Sequence, residues 1–165
     1  MNGKSQYADD IDTRYQKSAC GPTTVNVILN YVCKDHDILQ KNMNELYELL
    51  GSTRIGLFKW RLIRNLQKLL GKDWVVKECT VNEALDELRA GRPVALKFDQ
   101  YFSLNWFAKP KYKYHWVPLV GYEIRADKYY LKIHDNGGRN RESKVCDVLY
   151  EDNCSVLSFV KIAPK

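Results

Sequence analysis

The chain has 165 residues, of which 45% are hydrophobic and 28% are charged, and its net charge is +6 at pH 7. This length suits one compact domain, and this composition excludes an intrinsically disordered chain. No run of about 18 apolar residues is present, and the positive side chains are scattered without a nucleic-acid-binding motif, so we expect neither a membrane span nor a nucleic-acid partner.

Helix signals dominate the first half of the sequence, after a polar lead-in of 19 residues. Apolar residues recur at helical spacing in each predicted helix, as Val25, Ile28 and Leu29 do in the first. Thr80 and Glu83 form a capping box at the start of the last helix. A short strand over 74–79 precedes that helix. The predicted helices begin at Cys20 and span about 43–50, 57–70 and 81–90.

Strand signals dominate the second half, where β-branched and aromatic residues lie between turn signals. The predicted strands span 93–98, 115–122, 129–135 and 156–162. Residues 99–114 form a long loop rich in aromatic residues and lysine, either a lid or wall of a substrate groove or a satellite of the core. Helices followed by strands indicate an α+β fold, with a helical layer on an antiparallel sheet. We expect one domain over 1–165, helical over about 20–91 and sheet over about 92–165.

Cys20 is the strongest candidate for a chemical role. It stands at the start of the first predicted helix, where unpaired backbone N–H groups and the helix dipole favour an anion. The thiolate is the reactive form of cysteine, and this position lowers the cost of forming it. The alternative is an inert, buried cysteine at a helix start. We expect Cys20 to be a nucleophile.

The other four cysteines leave the redox state of the chain open. The total of five is odd, so at least one is unpaired in a monomer. Cys146 and Cys154 are near enough in sequence to pair in an oxidising compartment. No zinc-type spacing occurs, and Cys33 with His36 lacks further ligands, so we expect no metal and no cofactor. The polar, acidic start does not resemble a signal peptide, which fits a cytoplasmic or a mature secreted protein.

His115 and Asp135 are expected to meet at one end of a hairpin. His115 begins one predicted strand and Asp135 ends the next, so antiparallel pairing makes them neighbours. The carboxylate would orient the imidazole and stabilise its charged form, leaving His115 as general base. Asp135 is also a typical turn-initiating residue, and Asn136 is the alternative orienting residue. His134 alternates with Asp135 and faces the opposite side of the strand.

A thiol nucleophile that forms tetrahedral intermediates also needs hydrogen-bond donors for the oxyanion. The backbone N–H of Cys20 is one candidate. A glutamine side chain ahead of the cysteine is the other, and both Gln6 and Gln16 are available.

Four segments in order resemble the bacterial papain-like cysteine peptidases, in particular the stand-alone relatives of the bacteriocin leader peptidases. They are Ala-Cys-Gly-Pro-Thr-Thr at 19–24, Gly-Arg-Pro-Val-Ala-Leu at 91–96, His-Trp-Val-Pro-Leu-Val-Gly-Tyr at 115–122, and the aspartate after the next strand. The resemblance implies a papain-like fold, with Cys20 as nucleophile, His115 as base and Asp135 as orienting residue. In these relatives a Ser-Gln-Tyr-like segment supplies the oxyanion glutamine, which favours Gln6.

The resemblance therefore implies a cysteine peptidase that hydrolyses a peptide or protein substrate through a thioester acyl-enzyme. The same residues would also serve an acyltransferase, and a non-catalytic binding module on this fold is the third reading. Pro118 departs from the family pattern, because it interrupts a predicted strand and has no backbone N–H to donate to the neighbouring strand. Substrate specificity and oligomeric state stay open.

Overall fold

The computed structural model describes residues 2–33, 37–101 and 109–165. Its helices are α1 (Thr13–Gln16), α2 (Cys20–Val32), α3 (Met43–Leu49), α4 (Lys59–Leu70), α5 (Val81–Arg89) and α6 (Tyr150–Asn153). Short 3₁₀ turns cover Asp37–Gln40 and Cys154–Val156. The strands are β1 (Trp74–Cys79), β2 (Val94–Asp99), β3 (Tyr114–Arg125), β4 (Lys128–Asp135), β5 (Lys144–Leu149) and β6 (Leu157–Pro164).

The six strands form one sheet in the order β1-β6-β2-β3-β4-β5, and every neighbouring pair is antiparallel. β3 and β4 form a hairpin whose tip, Ala126 and Asp127, has two positive φ angles of 47° and 59°. Such a tip matches the right-handed twist of the paired strands. The register places His115 of β3 opposite Phe98 of β2.

Helices cover both faces of the sheet. One buried cluster joins α2, α3 and α4 to Ala95, Trp116 and Val160 of the central strands. The other joins α5 to Leu96 and Val117, which are the chain neighbours of Ala95 and Trp116. This alternation follows from the two-residue period of a strand. The predicted α+β architecture, with helices packed on an antiparallel sheet, is confirmed, and α2 packs against β3.

Some elements differ from the sequence-based prediction. The sequence analysis did not predict β5, which lies at the edge of the sheet. The alternation of apolar and polar residues is weak in this strand, and the side chain of Val145 is 56% exposed. β1 lies among the helices in sequence yet pairs with the last strand, β6. Pro118 pairs with Ala95 of β2 and lies just beyond the paired length of β3 and β4, which begins at Leu119.

All five cysteines are free, so the possible pairing of Cys146 with Cys154 is not present. Within the described ranges, no three His, Cys, Asp or Glu side chains are grouped so as to hold a metal ion. None of the helices described has both the length and the apolar character of a membrane-spanning helix. Most of the predicted lid or wall, residues 102–108, and His36 lie outside the described residues.

Candidate active site

A cleft of about 280 Å³ opens where the start of α2 meets the ends of β3 and β4. Cys20 and His115 lie on its floor together with Gln6, and the α3–α4 connection forms one rim. A larger hollow of about 850 Å³ beside residues 2–4 and α2 contains none of these side chains. The cleft is therefore where the chemistry-bearing residues of the chain converge.

Cys20 occupies the first position of α2 and is 5% exposed. The next residue must be glycine, because a Cβ on Gly21 would lie 2.7 Å from the Cβ of Leu57. Burial favours the neutral thiol and raises its pKa, but the hydrogen bond and charge of His115, together with the N–H groups of Trp116 and Gly21, lower the pKa below its ordinary value. The site therefore favours a thiolate.

His115 lies between Cys20 and Asp135. Its Nε2 is 3.3 Å from Oδ1 of Asp135, which leaves Nδ1 to hydrogen-bond the thiol of Cys20. Burial would lower the pKa of His115, yet the hydrogen bonds of Asp135 and Cys20 outweigh it and raise the pKa to about 9. Because the pKa of Cys20 falls while that of His115 rises, the pair favours thiolate and imidazolium.

Asp135 has two further partners that sequence reasoning missed. Tyr112 donates from Oη to Oδ2 at 3.0 Å, and Arg141 donates from Nη1 to Oδ2 at 2.6 Å. Burial raises the pKa of the carboxyl, but the donors His115, Arg141 and Tyr112 hold it well below its usual range. The carboxylate is 3% exposed and stays ionised because three groups donate to it.

A partial indication of the role of Tyr112 was present in the sequence, since this residue belongs to the aromatic loop that was predicted to form either a wall of the groove or part of the core. No sequence pattern pointed to Arg141. It follows a turn closed by paired backbone hydrogen bonds with Gly138 at 2.9 and 3.0 Å, with Asn140 at a φ of 62°. That turn brings Arg141 back over the end of β4.

The structure places Asp135, and not Asn136, beside His115. The side-chain Nδ2 of Asn136 lies 3.0 Å from the carbonyl oxygen of Cys20, 3.0 Å from Oγ1 of Thr24 and 2.8 Å from the carbonyl oxygen of Trp116. This amide therefore ties the start of α2 to β3. It helps to set the distance between the helix that bears the thiol and the strand that bears the imidazole.

The two candidate glutamines occupy different places. Gln6 lines the cleft, and its backbone N–H donates to the carbonyl of Asn136 at 2.9 Å. Its side-chain Nε2 donates to the backbone carbonyl of Gln16 at 2.9 Å, which leaves the second amide hydrogen of Gln6 for another acceptor. The side chain of Gln16, the last residue of α1, instead donates to the carbonyl of Ile11 at 3.2 Å, just ahead of that helix. Of the two, the amide of Gln6 is the one at the cleft.

His134 lies away from this cleft. Its ring packs so closely on the N-terminal segment that a Cβ on Gly3 would lie 1.7 Å from the ring carbon Cε1. It lines a separate hollow on the other side of β4. The expected alternation of His134 and Asp135 is therefore observed.

Comparison with known proteins supports this reading of the fold. The family model described as the Peptidase_C39 like family matches residues 5–153, from the segment of Gln6 to α6. Comparison with curated proteins found no match to the chain. Because the family model spans most of the chain and includes every residue of the cleft described above, the chain belongs to the Peptidase_C39 like family, with a cysteine-peptidase type of fold.

Proposed function

We propose that the protein is a cysteine peptidase, with Cys20 as nucleophile, His115 as acid and base, and Asp135 as the orienting carboxylate. The observation that carries this proposal is the position of His115, whose two ring nitrogens face Asp135 and Cys20 in one cleft. Such an arrangement of thiol, imidazole and carboxylate is the general form of an activated nucleophile.

In the proposed reaction, the thiolate of Cys20 attacks the carbonyl carbon of a peptide bond. His115, present as imidazolium, gives its Nδ1 proton to the leaving amine, and a thioester to Cys20 remains. A water molecule then attacks the thioester carbonyl while His115 takes a proton from it. The acid is released and the thiolate–imidazolium pair is restored. Each step moves one proton, so no cofactor is required.

The oxyanion of each tetrahedral intermediate would accept hydrogen bonds from two groups. One is the backbone N–H of Cys20, which at the first position of α2 has no partner within the helix. The other is the second amide hydrogen of Gln6, whose side chain is held in place through Gln16. Donors that are positioned before the reaction stabilise the developing charge without reorganisation.

The test is the pH profile of alkylation by iodoacetamide, followed at each cysteine by mass spectrometry in wild type and in His115→Ala. A free thiol titrates at about 8.5, so Cys20 in the wild type should react well below about pH 7 and lose this reactivity in the variant. Exposed Cys154 is the internal reference. If Cys20 reacted as slowly as Cys154 at low pH, the nucleophile would be wrong and a binding module would be favoured.

Product analysis then separates hydrolysis from acyl transfer. Peptides are incubated with the protein, with and without an added amine. Release of the free acid at the same rate in both mixtures supports a peptidase. Capture of the acyl group by the amine in place of water would instead indicate an acyltransferase.

A further inference from the structure

One rim of the cleft is a rigid, two-residue turn. The backbones of Thr53 and Gly56 exchange two hydrogen bonds, of 3.0 and 2.8 Å, and Oγ1 of Thr53 donates to the carbonyl of Gly56 at 2.9 Å. Tyr47 donates from Oη to the carbonyl of Thr53 at 2.7 Å. Arg54 and Ile55 form the tip. Among the described residues, the hydrogen bonds that hold the turn involve its base, Thr53 and Gly56, and not its tip.

This turn is fixed against the strand that bears His115. Gly56, at a φ of 115°, packs on the ring of Tyr114 so closely that a Cβ would lie 2.5 Å from it. Tyr114 and Trp116 both donate to the carbonyl of Leu57, at 2.9 and 2.8 Å. The tip therefore has a defined position over the cleft. At this tip the side chain of Ile55 is 67% exposed.

Apart from the thiolate of Cys20, the charged side chains that line the cleft are cationic. Arg54 lies on the rim of the turn, Lys17 precedes the helix of Cys20, and Arg141 lies across the cleft. Among the described residues that line it, none is acidic. Residues 102–108, outside the described part, include no charged residue in the sequence. Arg141 is paired with Asp135, whereas Arg54 and Lys17 are exposed and have no ion pair with any of the described residues.

We propose that the cleft selects peptides that carry an acidic side chain beside the bond to be cleaved, with Arg54 and Lys17 as the specificity-determining residues. Cations held in a concave site concentrate anionic substrates and stabilise a carboxylate by charge-assisted hydrogen bonds. This inference rests on the proposed peptidase function, because it names the substrate class of the same site. The hydrogen bonds of the turn fix the backbone of Arg54 at the rim of the cleft, so its side chain extends from a defined point.

The first test uses two alkylating reagents that differ in charge, so it does not depend on turnover. Iodoacetate and iodoacetamide are compared by their second-order rate constants at Cys20. In the double variant Arg54→Gln with Lys17→Gln, the iodoacetate-to-iodoacetamide ratio should fall by roughly three- to tenfold at low salt, from the modest strength of exposed ion pairs. The loss should shrink at high salt, since screening weakens the exposed charges.

The matched control is Arg64→Gln, which removes an exposed arginine on α4 that does not line the cleft. It should leave the ratio at Cys20 unchanged. The charge of His115 favours iodoacetate in every variant and cancels from the comparison. An unchanged ratio in the double variant, or an equal fall in Arg64→Gln, would overturn the proposal.

The second test uses matched peptides with aspartate or asparagine on either side of the scissile bond, each with a free or amidated C-terminus. A preference for aspartate in kcat/KM that disappears in the double variant supports the proposal. A preference that follows the free C-terminus would show that the cations bind a chain end, which contradicts it. Cleavage without preference overturns the inference and leaves the peptidase intact. No cleavage of any peptide, with the reagent ratio as predicted, overturns the peptidase function alone.

Discussion

Replacing Asp135 by asparagine removes one charge from the site while keeping its shape. In the structure the carboxylate accepts from His115, Tyr112 and Arg141. An asparagine oxygen still accepts from His115 Nε2, but it no longer attracts the imidazolium. Arg141 loses its ionic partner, and its positive charge then opposes the charge on His115. The variant should therefore weaken the thiolate–imidazolium pair without displacing Cys20.

The expected magnitude follows from the pKa of His115, which rises from 6.5 to about 9. A difference of one in pKa corresponds to about 1.36 kcal/mol. The difference of about 2.5 between these two pKa values therefore corresponds to about 3 kcal/mol in favour of the imidazolium. The hydrogen bond of Asp135 is the largest favourable contribution, ahead of Cys20. Asparagine keeps a neutral hydrogen bond in place of this charged one, a difference of about 1–2 kcal/mol, so kcat/KM should fall about 5- to 30-fold.

The assay is the pH profile of Cys20 alkylation together with kcat/KM on a cleaved peptide, measured well below the melting temperature of each variant. Asp86→Asn on α5, where an exposed carboxylate pairs with Arg89, is the matched control and should behave as wild type. The low-pH limb of the Cys20 alkylation profile should move to higher pH in Asp135→Asn and should not move in Asp86→Asn. A wild-type profile and rate in that variant would refute the orienting role of Asp135.

Three further results are expected. The kcat/KM profile should rise as the pH passes the lowered pKa of Cys20 and fall as it passes about 9, where His115 loses its proton; a rise that continued beyond pH 10 would contradict the ion pair. Gln6→Ala should lower kcat by roughly 100-fold, as loss of an oxyanion donor does, whereas Gln16→Ala should change mainly the melting temperature; equal kinetic losses would argue against Gln6. Asn136→Ala should lower the free energy of unfolding by about 2–4 kcal/mol, because buried carbonyls of α2 and β3 lose their donor. Urea denaturation measures this free energy, and a loss below about 0.5 kcal/mol would contradict the bridging role of Asn136.

Much of the fold and the floor of the candidate site could be predicted from local patterns. The start of α2 at Cys20 follows from the apolar spacing and from the residues that open the helix. The proximity of His115 and Asp135 follows from one hairpin, since antiparallel pairing brings the start of one strand beside the end of the next. The alternation of side chains along that strand also places His134 and Asp135 on opposite faces. Each of these inferences needs only residues that are close in the chain or paired by a short turn.

The choice between Asp135 and Asn136 needed the tertiary structure, because Asn136 lies beyond the end of β4, where strand alternation no longer fixes the direction of a side chain. Asn136 bonds the start of α2, and this contact spans 116 residues of sequence.

The sequence by itself therefore determined the fold class, the helix that presents the thiol and the hairpin that presents the imidazole, because helix and strand periods are local properties. Only the tertiary structure decided that Arg141 and Tyr112 hold Asp135, and that Arg54 and Cys20 line the same cleft. Those contacts depend on how α3, α4 and the β4–β5 turn pack against the sheet. No periodicity along the chain encodes the distance between segments that meet only when the core is assembled.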